Sequence, residues 1–336
     1  MNDLEAVRMA EVKAVESVRD DQIEVRSKEE FLFVGVHGWA DTNEAMLELA
    51  RMLALPKWQI VAPDLGFVRT WLSIQPIVAD VEAVLMAKIA EFPDARLRIV
   101  GHSMGGLVAL EVLNRHPEWW LDRAAERAGR VEALTLLASP VGGASTARIV
   151  DPLGVGIGIA RDLGIDRRAM AETIAQAIPT QIIVGDRDGG SDGVVMVGAT
   201  QFAHARYQCF PGISHIEIRT TPQTAAAILD FWSSLPDFSR IDQESTHLAR
   251  IIRRLRAVPG ITDGHARDFP RARSYAQLPD NLTLHTWKNL VGVEHVFLSD
   301  ASNQCLYSGY VGWMDTAALQ QALAEIRSVP MENTAT

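Results

Sequence analysis

Gly101-His102-Ser103-Met104-Gly105 sets a serine between glycines where a short apolar run, Leu97–Val100, gives way to a helical pattern carrying Leu107, Val108, Leu110, Val112 and Leu113. A strand that reverses into a helix within two residues crowds both flanks of the turn, so glycine is the residue type the turn demands. The serine hydroxyl then stands clear of any sheet, and the helix beside it aims its first N–H groups at whatever negative charge forms there. A chain built this way needs a buried strand before the serine and a layered α/β frame around it.

The rest of the sequence supplies that frame. Continuous apolar runs at Phe31–Trp39, Gln59–Asp64, Val131–Pro140, Thr180–Asp188 and Arg206–Phe210 suit strands buried on both faces. Helical patterns at Asn43–Leu53, Pro76–Phe92 and Gln223–Leu235 alternate with them. The alternation predicts a doubly wound, mostly parallel sheet, with its site at the carboxyl ends of the strands, where His37, Asp64 and Ser103 fall. Residues 144–179 are rich in Gly and Ala and contain no sheet-forming run. They are expected to form a helical lid or cap insertion, with an ordinary connecting helix pair as the alternative. Residues 1–30 place Leu4, Val7, Val12, Val15 and Val18 on one side of a helical wheel, the pattern of an amphipathic N-terminal helix or arm.

Composition narrows the class. The 336 residues are 48% hydrophobic and 22% charged, with a net charge of −10, which argues against general nucleic-acid binding. The two cysteines, Cys209 and Cys305, follow no metal or redox spacing, so a reducing compartment and no metal are expected. The first residues are acidic where a secretory signal would be basic, no apolar stretch spans a bilayer, and the expected location is cytoplasmic.

Ser103, acids after the Thr180–Val184 run, and His215 after a strand and a Gly turn stand in the order Ser, acid, His. With the His37-Gly38-Trp39 loop and the Gly101–Gly105 turn, which has the form of a nucleophile elbow, residues 31–237 resemble the α/β-hydrolase superfamily. Ser191-Asp192-Gly193-Val194-Val195 and Ala138–Ala144 resemble its lipase-like and serine-esterase branches. The resemblance implies Ser103 as nucleophile, His215 as base and Asp192 as the acid that orients it, with Asp188 the alternative acid nearer the strand end. It also implies an oxyanion hole from the backbone N–H groups of Trp39 and Met104, and no cofactor. Asp186 is read as capping the strand end, His37 as shaping the oxyanion loop, and His102 and the Trp119-Trp120 pair as packing residues.

The expected activity is hydrolysis of small-molecule carboxylic esters, including lipid-like ones, through an acyl-enzyme. An acyltransferase with the same triad and a non-catalytic hydrolase-fold interaction protein are the alternatives. Dehalogenase chemistry is disfavoured because it needs a carboxylate where Ser103 stands.

Residues 238–336 lie outside the resemblance and are read as a small α+β extension of unknown role. It comprises a helix at Thr246–Val258, strands at Leu282–Trp287, His295–Ser299 and Gln304–Tyr310, and a closing helix at Asp315–Ile326. It distantly resembles the closing strands and helix of thioredoxin-like folds but contains no C-x-x-C. Arg250, Arg253, Arg254 and Arg256 fall mostly off the apolar face of the first helix. They are read as solvated, with an acidic partner or a membrane surface as the sharper alternative.

Overall fold

The computed structural model describes residues 31–55, 57–66, 71, 73–121, 129–143, 158–235 and 247–328. The N-terminal helix expected in residues 1–30 lies outside them, as do residues 144–157 of the expected lid.

Six strands form one sheet: β1 (Phe31–Val36), β2 (Gln59–Val61), β3 (Arg96–His102), β4 (Val131–Leu137), β5 (Thr180–Asp186) and β6 (Arg206–Pro211), in the order β2-β1-β3-β4-β5-β6. Every neighbouring pair is parallel. β1 and β3–β5 are buried along nearly their whole length, which is why they read as unbroken apolar runs rather than alternating ones. Parallel pairing forces a crossover between successive strands, and the helices that make the crossovers cover both faces. On one face α1 (Glu44–Met52) and α7 (Pro222–Ser233) bury Met46, Leu49, Ile228 and Phe231 against Phe33, Val100 and Ile183. On the other, α2 (Ile74–Glu91) and α3 (Met104–Arg115) bury Ile77, Val81, Leu107 and Leu110 against Leu32, Val34, Ile99 and Leu134.

The chain runs outward from β1 to β2, then crosses back over β1 to β3. The loops leaving β1 and β3 therefore diverge, and a crevice opens between their carboxyl ends. At the opposite end of the sheet, the Arg98 guanidinium lies 4.8 to 4.9 Å from the ring centres of Phe31, Trp58 and Trp232 and is ion-paired to Glu132. That buried cation is compensated by a carboxylate and three π faces.

The described part of the expected lid forms α4 (Ile159–Leu163) and α5 (Arg168–Ala175). Ile159, Leu163, Ala171 and Ile174 join the core of the α2–α3 face, so this part packs as a connecting helix pair on the sheet. α6 (Val197–Thr200) follows β5. Trp119 and Trp120 are buried as packing residues, Trp119 stacked on His116 and Trp120 donating its indole N–H to the Leu113 carbonyl at 2.8 Å.

The C-terminal residues form a second sheet with α8 (His247–Arg256) and α9 (Thr316–Arg327) packed on it. Its strands are β7 (Thr262–Asp263), β8 (Arg273–Gln277), β9 (Thr283–Lys288), β10 (Glu294–Ser299) and β11 (Cys305–Val311), ordered β7-β11-β10-β9-β8. Every pair is antiparallel, and the meander β8-β9-β10-β11 accounts for most of the sheet, which removes the thioredoxin likeness. β7 and β8 escape the sequence reading. β7 is two residues long, and β8, Arg-Ser-Tyr-Ala-Gln, buries only Ala276 fully.

The arginines of α8 divide. Arg250 and Arg253 are exposed, Arg254 pairs with Glu325, and Arg256 turns inward. Arg256 and Arg168 converge on the Asp263 carboxylate, and Arg256 also donates to the carbonyls of Gly198 and Gln201, at 2.5 and 2.9 Å. The second module is thereby clamped to α5 and α6 of the first, so the reading of these four arginines as a solvated face fails for Arg256. A buried carboxylate beside it favours the inward rotamer.

Candidate active site

Ser103 sits between β3 and α3 with φ 54° and ψ −124°, a conformation that strains a residue carrying a Cβ. Its neighbours explain how the strain is held. A Cβ at Gly101 would lie 2.5 Å from the Cα of Gly106, and one at Gly105 would lie 2.1 Å from the Val36 carbonyl oxygen. The turn is thus wedged between α3 and the end of β1, and the Ser103 N–H donates to the Leu137 carbonyl at 2.8 Å. Gly106 makes room for Ser139, whose hydroxyl would be 2.0 Å from a Cβ there.

The structure brings Ser103, His215 and Asp192 together. His215 Nε2 is 2.9 Å from Ser103 Oγ, and its Nδ1 is 2.7 Å from Asp192 Oδ2. With Nδ1–H donating to the carboxylate, Nε2 is the atom free to accept from the serine hydroxyl. The other carboxylate oxygen, Oδ1, accepts the backbone N–H groups of Val194 and Val195 at 2.9 and 2.7 Å. The Asp192 carbonyl accepts the His215 N–H at 2.9 Å, so the aspartate orients the histidine through main chain and side chain alike. Asp192 is 1% exposed and Ser103 and His215 each 8%, so the chain of hydrogen bonds is shielded from water while Ser103 and His215 keep a small accessible face.

Asp188, the alternative acid, lies elsewhere. Its carboxylate accepts from Ser191 at 2.9 Å and faces His265 of the C-terminal module at 3.0 Å. Burial raises its pKa, but the hydrogen bonds from Ser191 and His265 outweigh that and leave it below the usual carboxylate value. Asp186 accepts the N–H groups of Gly189 and Gly190 at 2.7 and 2.6 Å, capping the turn that leaves β5.

Met104 opens α3, so its N–H is among the first-turn groups with no partner inside the helix. The His37-Gly38-Trp39 turn presses against the serine: a Cβ at Gly38 would lie 3.0 Å from Ser103 Cβ. His37 holds that turn in place, donating from Nδ1 to the Gly38 carbonyl and accepting the Leu65 N–H at Nε2, both at 2.9 Å. Burial lowers its pKa, which keeps Nε2 available as an acceptor. Arg219, shortly after His215, pairs with Asp41 and ties the histidine segment to the loop leaving β1.

His102 does more than pack. Its Nε2–H donates to the His215 carbonyl at 2.9 Å, and the two rings lie 4.8 Å apart. Complete burial, reinforced by His215 nearby, pulls its pKa down to about 3, so it stays neutral. The sequence holds only a weak signal for this role, because the partner is 113 positions away.

A cleft of about 1300 Å³ lies at the seam of the two modules, lined by Arg168, Asp188, Tyr207, Cys209, Arg256 and Cys305 among others. Ser103 and His215 do not line it. Among the described residues no cluster of three or more His, Cys, Asp or Glu side chains could hold a metal ion, and no helix is long and apolar enough to cross a membrane.

Residues 27–145 match the family described as serine aminopeptidase, S33. Among solved structures, the chain is similar to the lipase BlEst2 of Bacillus licheniformis in its mature form, with 16% identity over 62% of this chain and 93% of that one, at a TM-score of 0.47. It is similar to Est1E of Butyrivibrio proteoclasticus, with 13% identity over 61% and 90% and a TM-score of 0.46. A highly thermostable carboxyl esterase of Bacillus coagulans, solved with glycerol, shares 15% identity over 62% and 91% with a TM-score of 0.45. No curated protein sequence matches. The fold itself rests on the parallel strand order β2-β1-β3-β4-β5-β6.

Proposed function

We propose that this chain, a member of the α/β-hydrolase superfamily, hydrolyses carboxylic esters with Ser103 as nucleophile, His215 as general base and acid, and Asp192 as the group that orients the imidazole. The observation that carries the reading is the unbroken relay from Ser103 Oγ through His215 to Asp192 at 2.9 and 2.7 Å. Ser103 Oγ attacks the acyl carbon while its proton passes to His215 Nε2, and the imidazolium so formed is stabilised by the Asp192 carboxylate. The N–H groups of Met104 and Trp39 receive the developing oxyanion. When the tetrahedral species collapses, His215 returns the proton to the leaving alkoxide and an acyl-serine remains. Water, giving a proton to His215 Nε2, then attacks the acyl carbon, and as the bond to Ser103 Oγ breaks that proton returns to Oγ and the carboxylic acid leaves. Each step moves a proton only between Nε2 and an oxygen within reach, so the relay suffices for both halves of the reaction.

The substrate class proposed is a small or lipid-like ester. The family description favours a second reading, cleavage of an aminoacyl amide by the same relay, because an amide differs from an ester in its poorer leaving group. Acyl transfer shares the acyl-enzyme and differs only in the acceptor.

The test is labelling by a fluorophosphonate, which traps an activated serine. The native chain should be labelled at Ser103 and the Ser103→Ala variant should not. A folded native protein that stays unlabelled would overturn the reading and favour the non-catalytic alternative. Turnover of p-nitrophenyl esters against aminoacyl p-nitroanilides then separates esterase from peptidase, and product formation with added alcohol separates hydrolysis from transfer.

A further inference from the structure

One end of the C-terminal sheet displays four large apolar side chains to solvent. Leu290 and Val291 form the tip of the β9–β10 turn, and Trp313 and Met314 follow β11. The register pairs Glu294 with both Lys288 and Val311, so the turn and the 312–314 segment lie side by side at the same end. A Cβ at Gly292 would be 4.0 Å from the Trp313 ring, which fixes their adjacency. Leu290 and Met314 are 108% and 95% exposed, Trp313 75% and Val291 68%: these side chains project from the surface instead of lining a groove. Isolated exposed apolar residues are ordinary, but four together at a convex tip mark a contact site.

The tip is built to display them. Asn289 Oδ1 accepts the N–H groups of Val291 and Val293 at 3.1 and 2.9 Å. The Asn289 N–H donates to the Val293 carbonyl and the Gly292 N–H to the Asn289 carbonyl, both at 3.0 Å. Gly292 has φ 88°, a conformation the turn requires and a side chain would resist. Trp313 is held by a short 3-10 turn whose Asp315 N–H donates to the Gly312 carbonyl at 3.2 Å. A prearranged display loses little entropy when it docks.

Charge indicates what it docks on. Lys288 and Arg273 are exposed at this end of the sheet, Arg273 lying opposite Thr286 across the β8–β9 pair. Arg271 lies over the Trp287 ring and is 66% exposed. The facing carboxylates are withdrawn from solvent or paired: Glu294, opposite Lys288, is buried and accepts from Gln320, Asp268 bonds Arg271, and Asp315 sits against Gly260. Cations and carboxylates at this end are equal in number, but the charge that reaches solvent is basic, in a chain of net charge −10. We propose that Leu290, Val291, Trp313 and Met314 insert into the headgroup region of an anionic lipid surface, with Lys288, Arg271 and Arg273 engaging its phosphates. A convex apolar wedge finds no complement on a flat protein surface, whereas a bilayer deforms around it, and tryptophan favours the interface itself. The proposal stands independently of the esterase reading.

Co-sedimentation of the full chain with phosphatidylcholine–phosphatidylglycerol vesicles, against phosphatidylcholine alone, tests it. The native chain should pellet with the anionic vesicles and be released by added salt. Binding should fall roughly tenfold or more in a Leu290→Asp/Trp313→Asp variant and in a Lys288→Glu/Arg273→Glu variant. Both pairs are exposed, so folding and turnover of a short soluble ester should be unchanged. A native chain that stays in the supernatant, or variants that pellet as it does, would overturn the proposal. So would a self-associated native protein that Leu290→Asp/Trp313→Asp disperses, since the tip would then be an interface between copies. Fluorophosphonate labelling in solution needs no vesicle, so the two readings can fail separately.

Discussion

Replacing Asp192 by asparagine should remove almost all turnover while leaving the fold intact. The two carboxylate oxygens have different partners: Oδ1 accepts the N–H groups of Val194 and Val195, and Oδ2 accepts His215 Nδ1–H. An asparagine has one acceptor oxygen, and the two backbone donors claim it, because the flipped amide would aim its own hydrogens at them. The amide NH2 therefore faces His215 Nδ1, which must become an acceptor. The ring proton moves to Nε2 and points at Ser103 Oγ, so the base can no longer take the serine proton. This tautomer reversal, with the imidazolium losing its counter-charge, lowers kcat by about ten-thousand-fold in triads of this design. Asp188→Asn should have little effect on turnover, since it weakens a half-exposed pair with His265 worth roughly 0–1 kcal/mol and leaves an amide oxygen that can still accept from Ser191. Steady-state hydrolysis of p-nitrophenyl acetate, with melting curves to verify folding, measures both. Loss in Asp188→Asn alone, or an Asp192→Asn variant within tenfold of native, would refute the reasoning.

His102 gives a pH prediction. Below 6.5 the unfolded chain protonates this histidine, whereas the native chain does not until about 3, so protons pull toward the unfolded state. Stability should fall as pH drops from 6.5 toward 3, by about 1.4 kcal/mol per unit from this group, with His37 adding in the same direction. His102→Gln, whose amide can still reach the His215 carbonyl, should flatten the slope by about one proton in urea titrations across that range. Gly105→Ala would drive a methyl into the Val36 and His37 carbonyls, at 2.1 and 2.4 Å, and should cost roughly 4 kcal/mol or more, read as loss of soluble folded protein by circular dichroism. Asp263→Ala leaves Arg256 without a carboxylate at the seam and Arg168 with Asp166 alone, and should cost about 3 kcal/mol, seen as a lower urea midpoint and faster proteolysis between the modules.

The elbow was legible because backbone crowding leaves a mark in the sequence: Gly101 and Gly105 are the only residue type that fits between α3 and β1. The parallel strands were legible because burial on both faces writes a continuous apolar run. The choice between Asp192 and Asp188 was harder to read, since both follow β5 and only the turn capped by Asp186 decides which carboxylate swings toward His215. Long-range pairings left no local trace, which is why the bond from His102 to the His215 carbonyl and the inward turn of Arg256 were missed. In the second module, β10 and β11 were readable within a residue or two. β8 was not, because an edge strand with one buried side chain carries hardly any pattern.

The all-parallel sheet also bears on how this chain comes to life. Parallel neighbours cannot be joined by a hairpin, so each added strand waits for a crossover, and contacts of that kind slow folding. Ser103 and His215 are 112 positions apart, and the histidine follows β6, the last strand of this sheet along the chain and one of its edges. A chain emerging from synthesis presents Ser103 long before His215. Competence should therefore arrive late and all at once, when β6 docks on β5, and on refolding the return of turnover should lag the return of helical signal.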